Sequence, residues 1–218
     1  MGSKFSNLWM LSPTGSNSFS AVDDWEKRSM STWACSKCKA VKPGTSAIEA
    51  VIQKTKFRGD LSFIYWFSGF LLISTRLINA LGARRVARHF YVGEVFQDDG
   101  TGLETHKTIL PKGERLVTRG GPNSECNVCS KCGFIGYRAI GEQYLLRPRK
   151  VEPLSGDDEM FCRDDVYQQL AGLRLNRVNV KRIQFRDKPE DGLPMDLHRL
   201  PKGFMRVMRK GGMHTSGN

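Results

Sequence analysis

Two copies of one tetrapeptide carry the clearest chemistry in this chain: Cys35-Ser36-Lys37-Cys38 and Cys129-Ser130-Lys131-Cys132, the second running on into Gly133. Each is a C-x-x-C turn that offers two sulfur donors. Together Cys35, Cys38, Cys129 and Cys132 match what one tetrahedral Zn²⁺ requires, with Zn–S bonds of about 2.3 Å. Four thiolates leave no open coordination position, so the expected metal is structural. Lys37 and Lys131 lie inside the turns, where positive charge favours thiolate over thiol. Gly133 permits the positive φ that such turns use. Cys126-Asn127-Val128-Cys129 is itself a C-x-x-C, so Cys126 is an alternative to Cys132; the Gly after Cys132 and the repeated string favour Cys132. Cys162 falls in an apolar segment and reads as a small buried side chain. The four histidines, His89, His106, His198 and His214, show no ligand spacing to one another or to a cysteine.

Composition bounds the rest. The 218 residues suffice for one sizeable core. Apolar residues make up 39% and charged residues 26%, as in a globular chain and unlike a disordered one. Met1 to Ser20 has no apolar signal-peptide core, so a reducing, cytoplasmic location is expected, where C-x-x-C pairs hold metals rather than form disulfides. The most apolar run, Leu61 to Ile73, is broken by Ser62, Ser68 and Gly69 and is short of the ~20 residues a membrane span requires, so no membrane role is expected. The net charge of +12 points to an acidic partner, either a protein face or nucleic acid. No phosphate-binding glycine loop, metalloprotease helix or serine-hydrolase elbow is present. A non-catalytic protein is expected.

The elements that must position the cysteines read as α+β, a mixed α/β single domain closed by a zinc ribbon of two distant knuckles, 33–44 and 126–137. The domain is placed at 1–198 and a basic tail at 199–218. Phe5, Leu8, Trp9 and Met10 suggest a short edge strand. Phe70 to Ile73 reads as a buried strand, Ser74 or Thr75 as a helix cap, Leu77, Ile78 and Leu81 as a helix face, Gly82 as its end, and Phe90 to Phe96 as the next strand. A unit of similar grammar follows the second cysteine pair. It comprises a strand at Met160 to Cys162, Asp164 as a helix cap, Val166, Tyr167, Leu170 and Leu173 on one face, and a strand from Val178 to Phe185. The two units suggest an internal repeat or a chance likeness of short α/β pieces. Pro189 to Pro201 reads as loop.

The order Trp33-Ala34-Cys35-Ser36-Lys37-Cys38, a strand–helix–strand unit, Cys129-Ser130-Lys131-Cys132-Gly133, and then Asp157-Asp158-Glu159-Met160-Phe161 leading into a second such unit resembles the double-CXXCG family of bacterial proteins, best known from myxobacteria. The resemblance spans about Trp33 to Phe185. Lys39 stands where the family pattern has the first of its two signature glycines, and the middle of this chain is more basic and less proline-rich. Members of that family are described as immunity proteins of contact- or exchange-delivered toxins. The resemblance therefore implies a cognate toxin as partner and action by occlusion. The alternative drawn from charge alone is a basic zinc-ribbon nucleic-acid-binding protein, using the knuckle lysines and Trp33, Phe134 and Tyr137 beside them.

Overall fold

A computed structural model describes residues 7–14, 18–19, 23–42, 44–53, 59–64, 67–113, 116–148, 151–156 and 158–192. The expected tail at 199–218, His198 and His214 lie outside these residues. The chain is mixed α+β, built on two larger sheets and one two-stranded ribbon. None of its described helices is long and apolar enough to cross a membrane.

In chain order the elements are β1 (Asn7–Pro13), β2 (Ser18–Phe19), α1 (Asp23–Thr32), β3 (Ala50–Ile52), β4 (Leu61–Ile64), β5 (Leu71–Ser74), α2 (Thr75–Leu81), α3 (Ala83–His89) and β6 (Phe90–Gln97). Then come β7 (Gly102–Pro111), β8 (Glu125–Val128), β9 (Ile135–Arg138), β10 (Tyr144–Leu146), β11 (Leu154–Gly156), β12 (Met160–Cys162), α4 (Asp164–Tyr167), a 3-10 turn (Gln168–Leu170) and β13 (Val178–Arg186).

The two sheets follow one plan. The first runs β2-β4-β5-β7-β6-β3 and the second, taken in the matching direction, β11-β12-β1-β13-β10. In the first, β5 and β6 are both antiparallel to the β7 between them, hence parallel to each other; β3 adds parallel to β6, and β4 antiparallel to β5. In the second, β12 and β13 flank β1 in the same way; β10 adds parallel to β13, and β11 antiparallel to β12. The internal repeat is therefore real at the level of topology. Each half contributes a central strand, a cysteine turn and a strand–helix–strand unit, and the central strands are exchanged. β1 of the first half completes the sheet of the second, and β7 of the second completes the sheet of the first.

This exchange corrects the reading of the N-terminal segment. β1 is a central strand with a partner on each side, and its side chains alternate between two cores. Leu11 and Trp9 face the core shared by the two sheets, while Leu8 and Met10 face the outer side with Phe161, Ile183 and Phe185. A short segment flanked by Ser and Gly reads as an edge because sequence shows only how apolar a strand is, not who pairs with it. The shared core also takes Leu71 and Ile73 of β5, Leu77 and Leu81 of α2, Met160 and Cys162 of β12, and Val166 and Leu170. The outer face of the first sheet is covered by α1, absent from the sequence reading, through Trp25, which packs with Ile48, Phe67 and Phe70.

Local signals held at the first helix. Ser74 Oγ accepts from Leu77 N at 3.1 Å, and Gly82 closes α2 at φ 87°. The chain then turns straight into α3, which was not anticipated. In the second unit Arg163, not Asp164, occupies the cap position and makes no side-chain cap bond. Asp164 Oδ1 instead accepts from the Trp9 indole at 2.7 Å. Gly172 closes this unit at the same φ of 87°.

A buried carboxylate ties the halves. Asp60 of the first half accepts from Ser74 Oγ at 2.6 Å and from Asn176 N at 2.7 Å, and forms an ion pair with Arg76. Burial alone would raise its pKa; the bonds from Arg76, Ser74 and Asn176 outweigh it and hold the carboxyl below its ordinary value. This stabilisation is present above the ordinary carboxylate pKa and is lost as pH falls through the lowered one. Asp60→Asn should cost about 2–3 kcal/mol and flatten the acid limb of stability against pH, checked by urea unfolding across pH. Met10→Pro should cost at least about 3 kcal/mol in the same assay, because a central strand loses a ladder bond that an edge strand can spare.

Candidate metal centre

Each C-x-x-C forms the turn of a small antiparallel hairpin. The first is closed by the bridge of Ala34 with Val41. The second is the tip of the β8–β9 ribbon. The two turns share one hydrogen-bond pattern. Cys35 N donates to Ala40 O at 2.9 Å and Lys39 N to Cys35 O at 2.8 Å; Cys129 N donates to Phe134 O at 2.8 Å and Gly133 N to Cys129 O at 2.9 Å. The residue after each second cysteine takes a left-handed conformation, Gly133 at φ 76° and Lys39 at φ 58°. Lys39 thus occupies the glycine position of its turn. Its ammonium is held by an ion pair with Glu26 and lies over the Phe67 ring at 6.0 Å.

The fold brings the two turns face to face. Cys35 Sγ lies 3.9 Å from Cys129 Sγ, and Cys38 Sγ 3.5 Å from Cys132 Sγ. All four sulfurs lie within 4.8 Å of one another. Sulfurs at the corners of a tetrahedron with bonds of about 2.3 Å are about 3.8 Å apart, so the set fits a single metal ion. Cys126 is not in the cluster; it sits on β8 opposite Tyr137, and burial pushes its thiol up. Cys162 is fully buried in β12, its thiol pushed up to about 12 by burial.

The repeated Ser-Lys inside the turns has a use that sequence reasoning missed. Lys37 Nζ donates to Ser130 Oγ at 2.7 Å, and Lys131 Nζ to Ser36 Oγ at 2.5 Å. The two turns clasp each other reciprocally. The ammonium groups therefore go to serines rather than acting as the main stabilisers of thiolate. Backbone N–H groups of Cys38 and Lys37 pull the Cys35 thiol down to about 6. At Cys129 burial opposes, and the amides of Cys132 and Lys131 prevail, lowering it. Burial dominates at Cys38, pushed up to about 12, and at Cys132, also raised. The backbone amides of the turns thus favour the charged form at Cys35 and Cys129, while burial opposes it at Cys38 and Cys132.

A second support lies behind the ribbon. Arg119 and Asp191 form a fully buried bidentate ion pair, with Arg119 Nε donating to Asp191 Oδ2 at 2.7 Å. Tyr137 of β9 donates its hydroxyl to the same carboxylate at 2.6 Å and accepts from Gly120 N at 3.0 Å. Asp191 lies in the stretch read as loop; a single acidic residue among Pro and Gly carries no signal of burial. His106 is buried with its ring bound to Gly59 O and Thr105 Oγ1, and burial lowers its pKa. It stands as a core histidine.

The chain matches none of the known protein families with which it was compared, and none of the curated proteins.

Gly133→Ala should cost about 1 kcal/mol, because φ 76° disfavours any Cβ. Lys39→Gly should be near neutral, since relief of a similar strain offsets the lost Glu26 contact; paired thermal melts test both. Asp191→Ala should cost about 3–5 kcal/mol by leaving the Arg119 guanidinium buried and unpaired, read by denaturant unfolding.

Proposed function

We propose that this chain is a non-catalytic protein whose two halves are locked by a structural zinc ribbon, and that it acts by binding and neutralising a cognate bacterial toxin. The observation that carries the metal is the four-sulfur cluster with tetrahedral spacing, contributed two and two by the halves. Thiolate sulfur at this spacing suits zinc, and a closed set of four leaves no position for substrate or water. The ion would supply a fixed crosslink and charge to offset the thiolates; Cys35, Cys38, Cys129 and Cys132 would hold it.

The immunity role rests on the resemblance to the double-CXXCG family. What supports it is the order of knuckle and strand–helix–strand unit, carried through twice in the fold. Occlusion needs a stable surface and no reactive group, which agrees with Cys35, Cys38, Cys129 and Cys132 gathered in the clasp and with Cys162 and His106 buried in the core. The charge of +12 would speed encounter with an acidic toxin face and favour the right partner more than it would raise affinity. The nucleic-acid reading leans on side chains that already have partners in this chain: the exposed Lys37 and Lys131 bond to serines of the opposing turns, Trp33 packs with Trp25, Phe67 and Phe70, and Tyr137 bonds to Asp191.

Metal analysis should find about one zinc per chain in the parent and in Cys126→Ser, and none in Cys132→Ser, which should also lose cooperative unfolding. A Cys132→Ser variant that melts as the parent does would break the structural role. For the partner, the product of an adjacent toxin-like gene should co-purify with this chain and lose its toxicity when both are expressed. Toxicity that persists at equal expression would sink the immunity reading.

A further inference from the structure

At one end of the seam between the two sheets lies an open cleft of about 630 Å³. Its wall combines Asp60, Ser74 to Arg76, Thr105 and His106 of the first sheet with Arg174 to Arg177, the loop between the 3-10 turn and β13. Three arginines line it: Arg76, Arg174 and Arg177. Arg76 spends Nε and Nη2 on Asp60, and Nη2 also on Arg174 O at 2.9 Å. Its Nη1 has no partner among the described residues, and neither do the side chains of Arg174 and Arg177. Arg163 and Arg186 are paired with carboxylates.

The charge of the cleft is uncompensated. Among the described residues Asp60 is the one carboxylate lining it, and its oxygens are taken by Ser74, Arg76 and Asn176. His106 is tied to the wall through both ring nitrogens, Nε2 to Gly59 O at 2.8 Å and Nδ1 to Thr105 Oγ1 at 3.0 Å, and burial lowers its pKa. Thr75 Oγ1 donates to Thr105 O at 3.3 Å. The Ser74 and Thr75 hydroxyls donate within the wall, so the charged donors left for a ligand are guanidinium N–H groups, with the Asn176 side-chain amide beside them.

The cationic loop is held in place. Asn176 N and O both bond to Asp60, and Arg177 O accepts from Thr14 N at 3.0 Å. Arg177 itself stands in the left-handed region at φ 52°, where an arginine is seldom placed. The matching place in the other half is filled: there Trp9 bonds to Asp164 at the helix start and stacks on Tyr167 at 4.0 Å, and α3 enters β6 without a loop. One of two equivalent sites has been plugged, and the other is open and lined with arginine.

We propose that this cleft binds the phosphate group of a small organic phosphate, with Arg174, Arg177 and Nη1 of Arg76 as the donors. Planar guanidinium forks match phosphate oxygens in pairs, and the volume exceeds that of a bare ion and falls in the range of small-molecule sites. The cleft is distinct from the cysteine cluster and from the toxin reading, so either can fail without the other.

The test is calorimetric titration of the full, metal-loaded chain with inorganic phosphate, with a ribose phosphate and with a nucleoside monophosphate. Saturable binding is expected for at least one ester, tighter than for inorganic phosphate. It should weaken roughly tenfold in Arg174→Gln and in Arg177→Gly, the latter relieving backbone strain and so safe for folding. Lys112→Gln, outside the cleft, should bind as the parent does. Absence of saturation for all three probes overturns the proposal. So does equal weakening by Lys112→Gln, or parental affinity in the Arg174→Gln, Arg177→Gly double variant.

Discussion

The contact between the two Cys-Ser-Lys-Cys turns is the constraint on which the other long-range arrangements hang. It joins segments 94 residues apart. A crosslink across a loop of that length removes on the order of 4–5 kcal/mol of unfolded-chain entropy. The serines and lysines show that the clasp is more than a ligand set. Each turn supplies a donor and an acceptor to the other, so the two halves recognise one another in a single register before any cation is considered. The tetrapeptide is duplicated because the interaction is reciprocal.

The exchanged central strands complete what the clasp begins. With β1 in the second sheet and β7 in the first, neither half has a full sheet of its own. The core between them mixes residues from both, such as Leu11 with Leu71 and Met160. Folding must therefore bring together strands distant in sequence, which is slow in general and rewards a crosslink that shortens the search. Duplication also leaves room for divergence. The halves share topology, cysteine turns and closing glycines at Gly82 and Gly172, yet differ where the sheets meet: Trp9 and Tyr167 fill one end, and arginines line the other.

The candidate site was legible to an unusual degree because metal ligation is local in its grammar. Two cysteines two residues apart need a tight turn whatever the fold, and Gly133 marks one. The helix of the first unit was likewise legible, since Ser74 and Gly82 act within one turn of the residues they serve. Less local features were not. Cys126 and Cys132 were both compatible with spacing, and only the approach of the first turn distinguishes them. The buried pairs Asp60–Arg76 and Arg119–Asp191 join residues with no pattern between them, because burial is a property of what packs around a charge. The edge reading of β1 failed for the same reason.

By itself the sequence determined the two cysteine turns, the mixed α/β grammar, the basic balance and the absence of a familiar catalytic motif, all of which follow from residue type and short-range spacing. The tertiary structure alone decided that the two cysteine turns form one cluster, that the halves exchange strands, that the turn lysines serve the opposing serines, and that Arg76, Arg174 and Arg177 meet in one cleft. These depend on pairing between distant segments, where free energy comes from shared burial and closed geometry, and no local pattern specifies which partner is met.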